Sequence, residues 1–288
     1  MAIQLLVALI ALALLHSWPR LARRRDDGLF RRWVLQLAET GGYARAALAV
    51  LPPVIVCLVI WALLGHGSPG SWLQALFALA VLVYCLGPRE FAADLEAILA
   101  APDLPARIAA AQQLSDDGNQ VAWNVRELGS AVVYAALRRR FAVLWWFFVL
   151  GPAGALAYHL LQLLARDPAL QHADDGDAPH YLANAADWIP AQLLTFTLAL
   201  VGHWEAVIAT WRLWRSHAAP TSWYRDEPTF LGAAAQADVR MDIGEDEGDG
   251  MERYDPLVEL MRLRGTLLRA LLAWLSVVAL VVIGSWLR

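Results

Sequence analysis

Phe141 to Ala165 reads FAVLWWFFVLGPAGALAYHLLQLLA, and this stretch decides the solvent in which the chain folds. It contains no Asp, Glu, Lys or Arg, and as a helix rising about 1.5 Å per residue it is long enough to pass through a hydrocarbon core of about 30 Å. Gly151-Pro152-Ala153-Gly154 interrupts its middle. Proline removes a backbone donor and can split a helix, so two readings stand: a bent segment that crosses fully, or a re-entrant one that turns back.

Working outward, five further stretches approach the same criterion: Met1 to Trp18, Ala46 to Leu64, Trp72 to Gly87, Trp188 to Ala209 and Ala270 to Leu287. The composition agrees. Only 17% of the 288 residues are charged and 59% are hydrophobic, against roughly 25% and 45 to 50% in soluble domains. The mean hydropathy is +0.45, and the 14 Trp suit an interface where one edge of the ring is apolar and the other wet. The expected fold is therefore all-α: a polytopic helical integral membrane protein with about six apolar segments and a cytoplasmic helical layer. The lipid bilayer is its first partner, and no nucleic acid is expected.

Charge placement predicts the orientation. All 23 basic residues are Arg, which excludes chemistry that needs a lysine, such as a P-loop or a Schiff base. Arg20, Arg23, Arg24, Arg25, Arg31 and Arg32 follow the first apolar segment instead of preceding it, which is the reverse of a cleaved signal peptide. The positive-inside bias puts them in the cytoplasm and the N-terminus outside. Gly65 to Ser71 has no Arg, as an outer turn should, and Pro88 to Arg140 is Arg-rich. If Phe141 to Ala165 crosses fully, the stretch from Arg166 to Asp187, with Asp167, Asp174, Asp175, Asp177 and Asp187, becomes an acidic outer loop. If it is re-entrant, Asp187 faces the cytoplasm and the last two spans invert.

The chain divides on this reading into 1–87, membrane spans with an Arg-rich loop; 88–140, amphipathic cytoplasmic helices; 141–215, central spans with the acidic loop; 216–266, an acidic linker and helix; and 267–288, a final span. Within the second part, Glu90 to Leu99, Ala106 to Leu114 and Asn124 to Leu137 are expected as short helices. Met241 to Met251 carries the acidic run DIGEDEGD and reads as a flexible linker, because it has too little apolar surface to bury. Its oxygen-ligand spacing does not fit a calcium loop.

Cys57 and Cys85 lie inside apolar runs and are expected as small hydrophobes, not a disulfide. No G-x-S-x-G, H-E-x-x-H, C-x-x-C or dinucleotide glycine pattern occurs. The polar candidates lie near the membrane. Asp187-Trp188 opens the fifth segment, where Asp would cap a helix and Pro190 would sit in its first turn. His203 and Glu205 come near the inner end, and Glu205 reads as an interfacial carboxylate pairing with Arg212 or Arg215, or as a contact facing the bundle. Arg138-Arg139-Arg140 reads as a membrane anchor or as a cationic face for an anionic ligand. His172 and His180 belong to a solvated loop, and neither a metal site nor a cofactor is expected.

Four motifs carry a resemblance. Phe30-Arg31-Arg32-Trp33, Phe141 to Leu160, Asp187-Trp188-Ile189-Pro190-Ala191 and Gly202-His203-Trp204-Glu205 resemble, in that order, the AmpE family within the CobD/CbiB superfamily. The resemblance implies an inner-membrane regulatory protein in β-lactamase induction, with a cytoplasmic signalling partner or an anionic cell-wall-derived ligand. The superfamily's other activity is ATP-dependent amide formation in the cobalamin pathway. Those synthases carry a polar E-N-T-S-D-G-like motif where this chain has Ala136-Leu137-Arg138-Arg139-Arg140-Phe141, and P-A-R-L where it has Pro190-Ala191-Gln192-Leu193. Loss of the groups that would hold Mg²⁺ or a phosphate implies a protein that is not an enzyme.

Overall fold

A computed structural model of the chain describes residues 2–17, 27–37, 39–65, 70–86, 91–115, 120–247 and 256–286. Arg20, Arg23, Arg24, Arg25 and Arg89, the outer turn at 66–69, and Gly248 to Asp255 lie outside them. Among the described residues every regular element is a helix, and there is no strand. In chain order the α-helices are α1 (Ala2–Ser17), α2 (Gly28–Leu35), α3 (Gly42–Leu64), α4 (Gly70–Leu86), α5 (Phe91–Ala100), α6 (Leu104–Ala111), α7 (Val125–Ala136), α8 (Ala142–Arg166), α9 (Ala178–Val201), α10 (Trp204–His217), α11 (Ser222–Arg225), α12 (Thr229–Glu247) and α13 (Pro256–Trp286). A π-helical turn, Leu137–Phe141, joins α7 to α8.

Four stretches are long and apolar enough to cross a membrane: Gly42–Leu64, Trp72–Ala100, Val125–Arg166 and Pro256–Gly284. The outward surface of α3 shows why, since Leu51, Ile55, Val56, Val59 and Leu63 are all at least half exposed. In water that apolar face would carry a large cost, and in lipid it carries none. Two of the six expected segments differ. Met1 to Trp18 yields the shorter apolar helix Ile3–Ser17, and Trp188 to Ala209 is not one helix: α9 begins ten residues earlier, and the chain breaks at Gly202-His203 before α10.

The three short helices expected between the third and fourth apolar segments form as α5, α6 and α7 for local reasons. Asp103 accepts a hydrogen bond from the Ala106 N–H at 2.8 Å, and Asn124 accepts one from Glu127 at 2.8 Å, so each side chain satisfies a backbone donor left free at a helix start. The linker expected over Met241 to Met251 is corrected in part, because α12 continues through Glu247.

The residues group into two compact units. The first comprises 1–90, 142–183 and 278–288; the second comprises 91–141 and 184–277. In the first unit, Phe30 and Val34 stand four residues apart on one face of α2 and pack with Ala46 and Ala49 of α3 and with Leu160, Leu164 and Leu170.

Gly151 adopts φ 70° and ψ −158° inside α8, a combination essentially confined to glycine. The chain reverses there. A methyl group placed on Gly154 would lie 2.5 Å from the carbonyl oxygen of Trp146, eight residues back, whereas eight residues of straight helix advance about 12 Å. The second arm of α8 therefore folds sharply back toward the first at this point, and Gly154 has no side chain because the backbone of the first arm occupies its place.

The far arm ends among the arginines of the first unit. Arg31 Nε lies 2.8 Å from Asp167 Oδ2. Arg45, 2% exposed, pairs with the buried Asp175 and donates to the Leu170 carbonyl at 3.2 Å. A methyl on Gly41 would stand 2.6 Å from the Asp174 carbonyl oxygen, so the loop after α8 rests directly on the start of α3. Asp167 and Asp175, which the sequence alone assigns to an outer loop if Phe141 to Ala165 crosses fully, thus lie against Arg31 and Arg45.

Candidate functional site

The second unit gathers most of the residues expected to matter. The π-helical turn widens the helix by one residue per turn, and three consecutive arginines leave it in different directions. Arg138, 9% exposed, lies across the Tyr134 ring with its guanidinium carbon 5.4 Å from the centroid. Its Nε donates to Asp187 Oδ2 at 3.4 Å and its Nη2 to Glu227 Oε1 at 2.7 Å. Arg139 donates to Asp94 Oδ2 at 2.8 Å and to the Gln113 and Leu114 carbonyls at 2.9 and 3.3 Å. Arg140 stacks 5.9 Å from the Phe91 ring.

Read from the sequence as a membrane anchor or a cationic face, Arg138, Arg139 and Arg140 make these contacts within the second unit. They are internal staples. Arg138 joins α7, α9 and the segment after α11, while Arg139 ties the turn to α5 and to the end of the 3₁₀ turn that follows α6. A guanidinium offers five donors in a planar fork, which suits it to hold two carboxylates at once where a lysine could not.

Asp187 is also corrected. It does not cap a helix; it lies in the interior of α9 with no solvent exposure, and its position is explained by Arg138. Pro190 likewise lies inside α9, not in its first turn. The local cue was real but ambiguous, since Asp followed by Pro is what a helix start looks like. What overrides it is Ala178 to Ala186, nine residues including four Ala that extend the helix in the N-terminal direction.

Around this charged centre stands an aromatic cluster. Trp188, next to Asp187, meets Trp214 of α10 with ring centroids 5.8 Å apart and Phe230 of α12 at 5.5 Å. Trp214 and Phe230 close the triangle at 4.7 Å. Asn184, one turn before Trp188, donates to the Arg225 carbonyl at 3.1 Å, and the Tyr134 hydroxyl reaches the Pro228 carbonyl at 3.5 Å. The segment carrying Glu227 is thus held at three points, and Glu227, at 41% side-chain exposure, is the member of the cluster nearest to solvent.

His203 and Glu205 part company. The His203 backbone N–H donates to Asp238 Oδ1 at 2.6 Å, and Nδ1 lies 3.1 Å from the same oxygen. Asp238 is 2% exposed, and any side chain at Gly202 would collide with its carboxylate. The glycine of the G-H-x-E motif is therefore there to admit Asp238, whose charge faces the N-terminal end of α10. Sequence reasoning missed Asp238; its signal was a pair of polar residues, Gln236 and Asp238, on an otherwise Ala-rich helix. Glu205 is exposed in the first turn of α10 and, among the described residues, forms no ion pair with Arg212 or Arg215. Arg215 instead lies 5.9 Å from the Trp211 ring.

In the first unit, His172 caps a short 3₁₀ turn and accepts from the Asp174 N–H at 3.4 Å. Among the described residues no three His, Cys, Asp or Glu side chains come together as metal ligands would. Cys57 and Cys85 are both buried free thiols.

Chemically, the carboxylates at this centre are each engaged by a guanidinium. Asp187 and Glu227 share Arg138, and Asp94 is held by Arg139. A group arranged in this way holds a fold in register more readily than it gathers a cation or activates a nucleophile.

Comparison with known proteins gives one distant relative. The chain is 30% identical over 224 residues to a protein of Chromobacterium violaceum described as cobalamin biosynthesis protein CobD, covering 70% of this chain and 64% of that protein. It thus spans less than two thirds of the relative's length. No family model and no solved structure matches.

Proposed function

We infer from this similarity that the chain is a distant member of the CobD/CbiB superfamily, and we propose that it acts as a multi-pass inner-membrane regulatory protein of the AmpE type. The observation that carries the reading is the neutralised centre of the second unit. Arg138 engages both Asp187 and Glu227, so the place where the superfamily's synthases are expected to keep a metal-binding polar motif is occupied by guanidinium–carboxylate pairs. Regulation then rests on surfaces, and exposed arginines such as Arg126, Arg212 and Arg215 offer cations to an acidic partner or an anionic cell-wall fragment. Deleting the gene tests this directly. β-Lactamase inducibility or muropeptide handling should change in the host, and an unchanged phenotype in both assays removes the proposal.

A second reading, an amide-forming enzyme of cobalamin synthesis, is favoured by the name of the relative. It requires that the purified protein consume ATP with a cobyric-acid-like acceptor and that its gene rescue a cobalamin-synthase mutant. Rescue would place catalysis above regulation, and its absence together with a β-lactamase phenotype would do the reverse.

A further inference from the structure

We propose that Ala142–Arg166 is a re-entrant helical hairpin that enters and leaves the membrane on the cytoplasmic side, so that the loop from Asp167 to Asp177 is cytoplasmic. Three independent features of the first unit carry this. The reversal at Gly151, with the Gly154 site filled by the Trp146 carbonyl, turns what composition reads as one long span into two antiparallel arms. The second arm, Pro152 to Arg166, is about 22 Å long as a helix, shorter than a hydrocarbon core of about 30 Å, so its tip stays at membrane depth.

Irregular backbone at such depth is tolerated only when protein surrounds it. Gly151, Pro152, Ala153, Gly154 and Ala155 are all buried, and Gln4, at the opening of α1, is the side chain nearest to a methyl placed on Gly151, at 3.8 Å.

At the other end of the hairpin, the loop is fixed by Arg31 to Asp167, by Arg45 to Asp175 and by the contact of Gly41 with Asp174. Arg31 and Arg45 flank the descent into α3 from the Arg-rich side. A loop that touches both cannot lie across the bilayer from them. The acidic residues that looked like an outer loop serve as counter-ions for the positive-inside arginines, which is a reason for their acidity that full crossing does not supply.

The inference rests on membrane embedding and not on whether the protein regulates or catalyses. The test uses single cysteines at exposed positions, Gln36→Cys and Ala169→Cys, with Asp177→Cys as a second probe of the loop, in a full-length chain carrying Cys57→Ala and Cys85→Ala. Membrane vesicles of both orientations are treated with a membrane-impermeant maleimide. All three positions should react in inside-out vesicles and stay at least tenfold less reactive in right-side-out ones. Reaction of Ala169→Cys or Asp177→Cys on the face opposite to Gln36→Cys overturns the hairpin, whatever the outcome of the β-lactamase and cobalamin assays.

Discussion

Each unit of this protein buries an arginine against carboxylates, and the two do it differently. In the first, Arg45 meets a single acid, Asp175, and the partnership is incomplete: Arg45 Nε and Asp175 Oδ1 are buried without a hydrogen-bond partner among the described residues. In the second, Arg138 is shared between Asp187 and Glu227 and capped by the Tyr134 ring. A one-to-one pair fixes where two segments meet; a shared guanidinium fixes how several helices are registered. The difference teaches that the same residue types specify topology in one place and a packed polar centre in the other.

The contrast can be broken first at the simple pair. Arg45→Ala strands a buried carboxylate with nothing to share it, and should cost about 3 to 5 kcal/mol of stability, read as a lower midpoint of thermal unfolding in detergent. Asp187→Ala should cost somewhat less, at the lower end of about 3 to 5 kcal/mol, because Glu227 continues to hold Arg138. If Asp187→Ala is the more damaging, sharing does not buffer the cluster and the comparison fails.

Smaller effects sharpen it. Gly151→Ala forces a side chain into a glycine-only conformation and should cost about 1 to 3 kcal/mol, with the first unit losing protease resistance before the second. Glu227→Gln removes one charge from a carboxylate that is 41% exposed, where solvent screens the interaction, so about 1 kcal/mol or less is expected. Glu205→Gln, at an exposed position with no ion pair among the described residues, should leave the unfolding midpoint unmoved; a clear shift would reveal a contact of the G-H-x-E motif that the geometry lacks.

The sequence made the helical class legible because long apolar runs and arginine-rich connectors obey simple solvent rules, and short caps such as Asp103 and Asn124 are read from local chemistry. It was less informative where a partner lies far along the chain. Nothing near Arg138 announces Glu227, 89 residues away, and nothing near His203 announces Asp238, 35 residues on. Asp187 was misplaced for the same reason: its neighbours fit a helix start, and only a distant guanidinium explains why it is buried mid-helix. Gly151 was the opposite case, since the Gly-Pro step flagged a break, while whether the chain bent or reversed depended on where Asp167 and Asp175 found their arginines.

The π-helical turn at Leu137–Phe141 has a geometric corollary. Such a turn is an α-helix that has accommodated one additional residue, so removing any one of five positions would restore the ordinary winding and rotate everything downstream by about 100°. Tyr134 and Arg138, which now meet ring to guanidinium, would then lose their register and the ring would face a different neighbour.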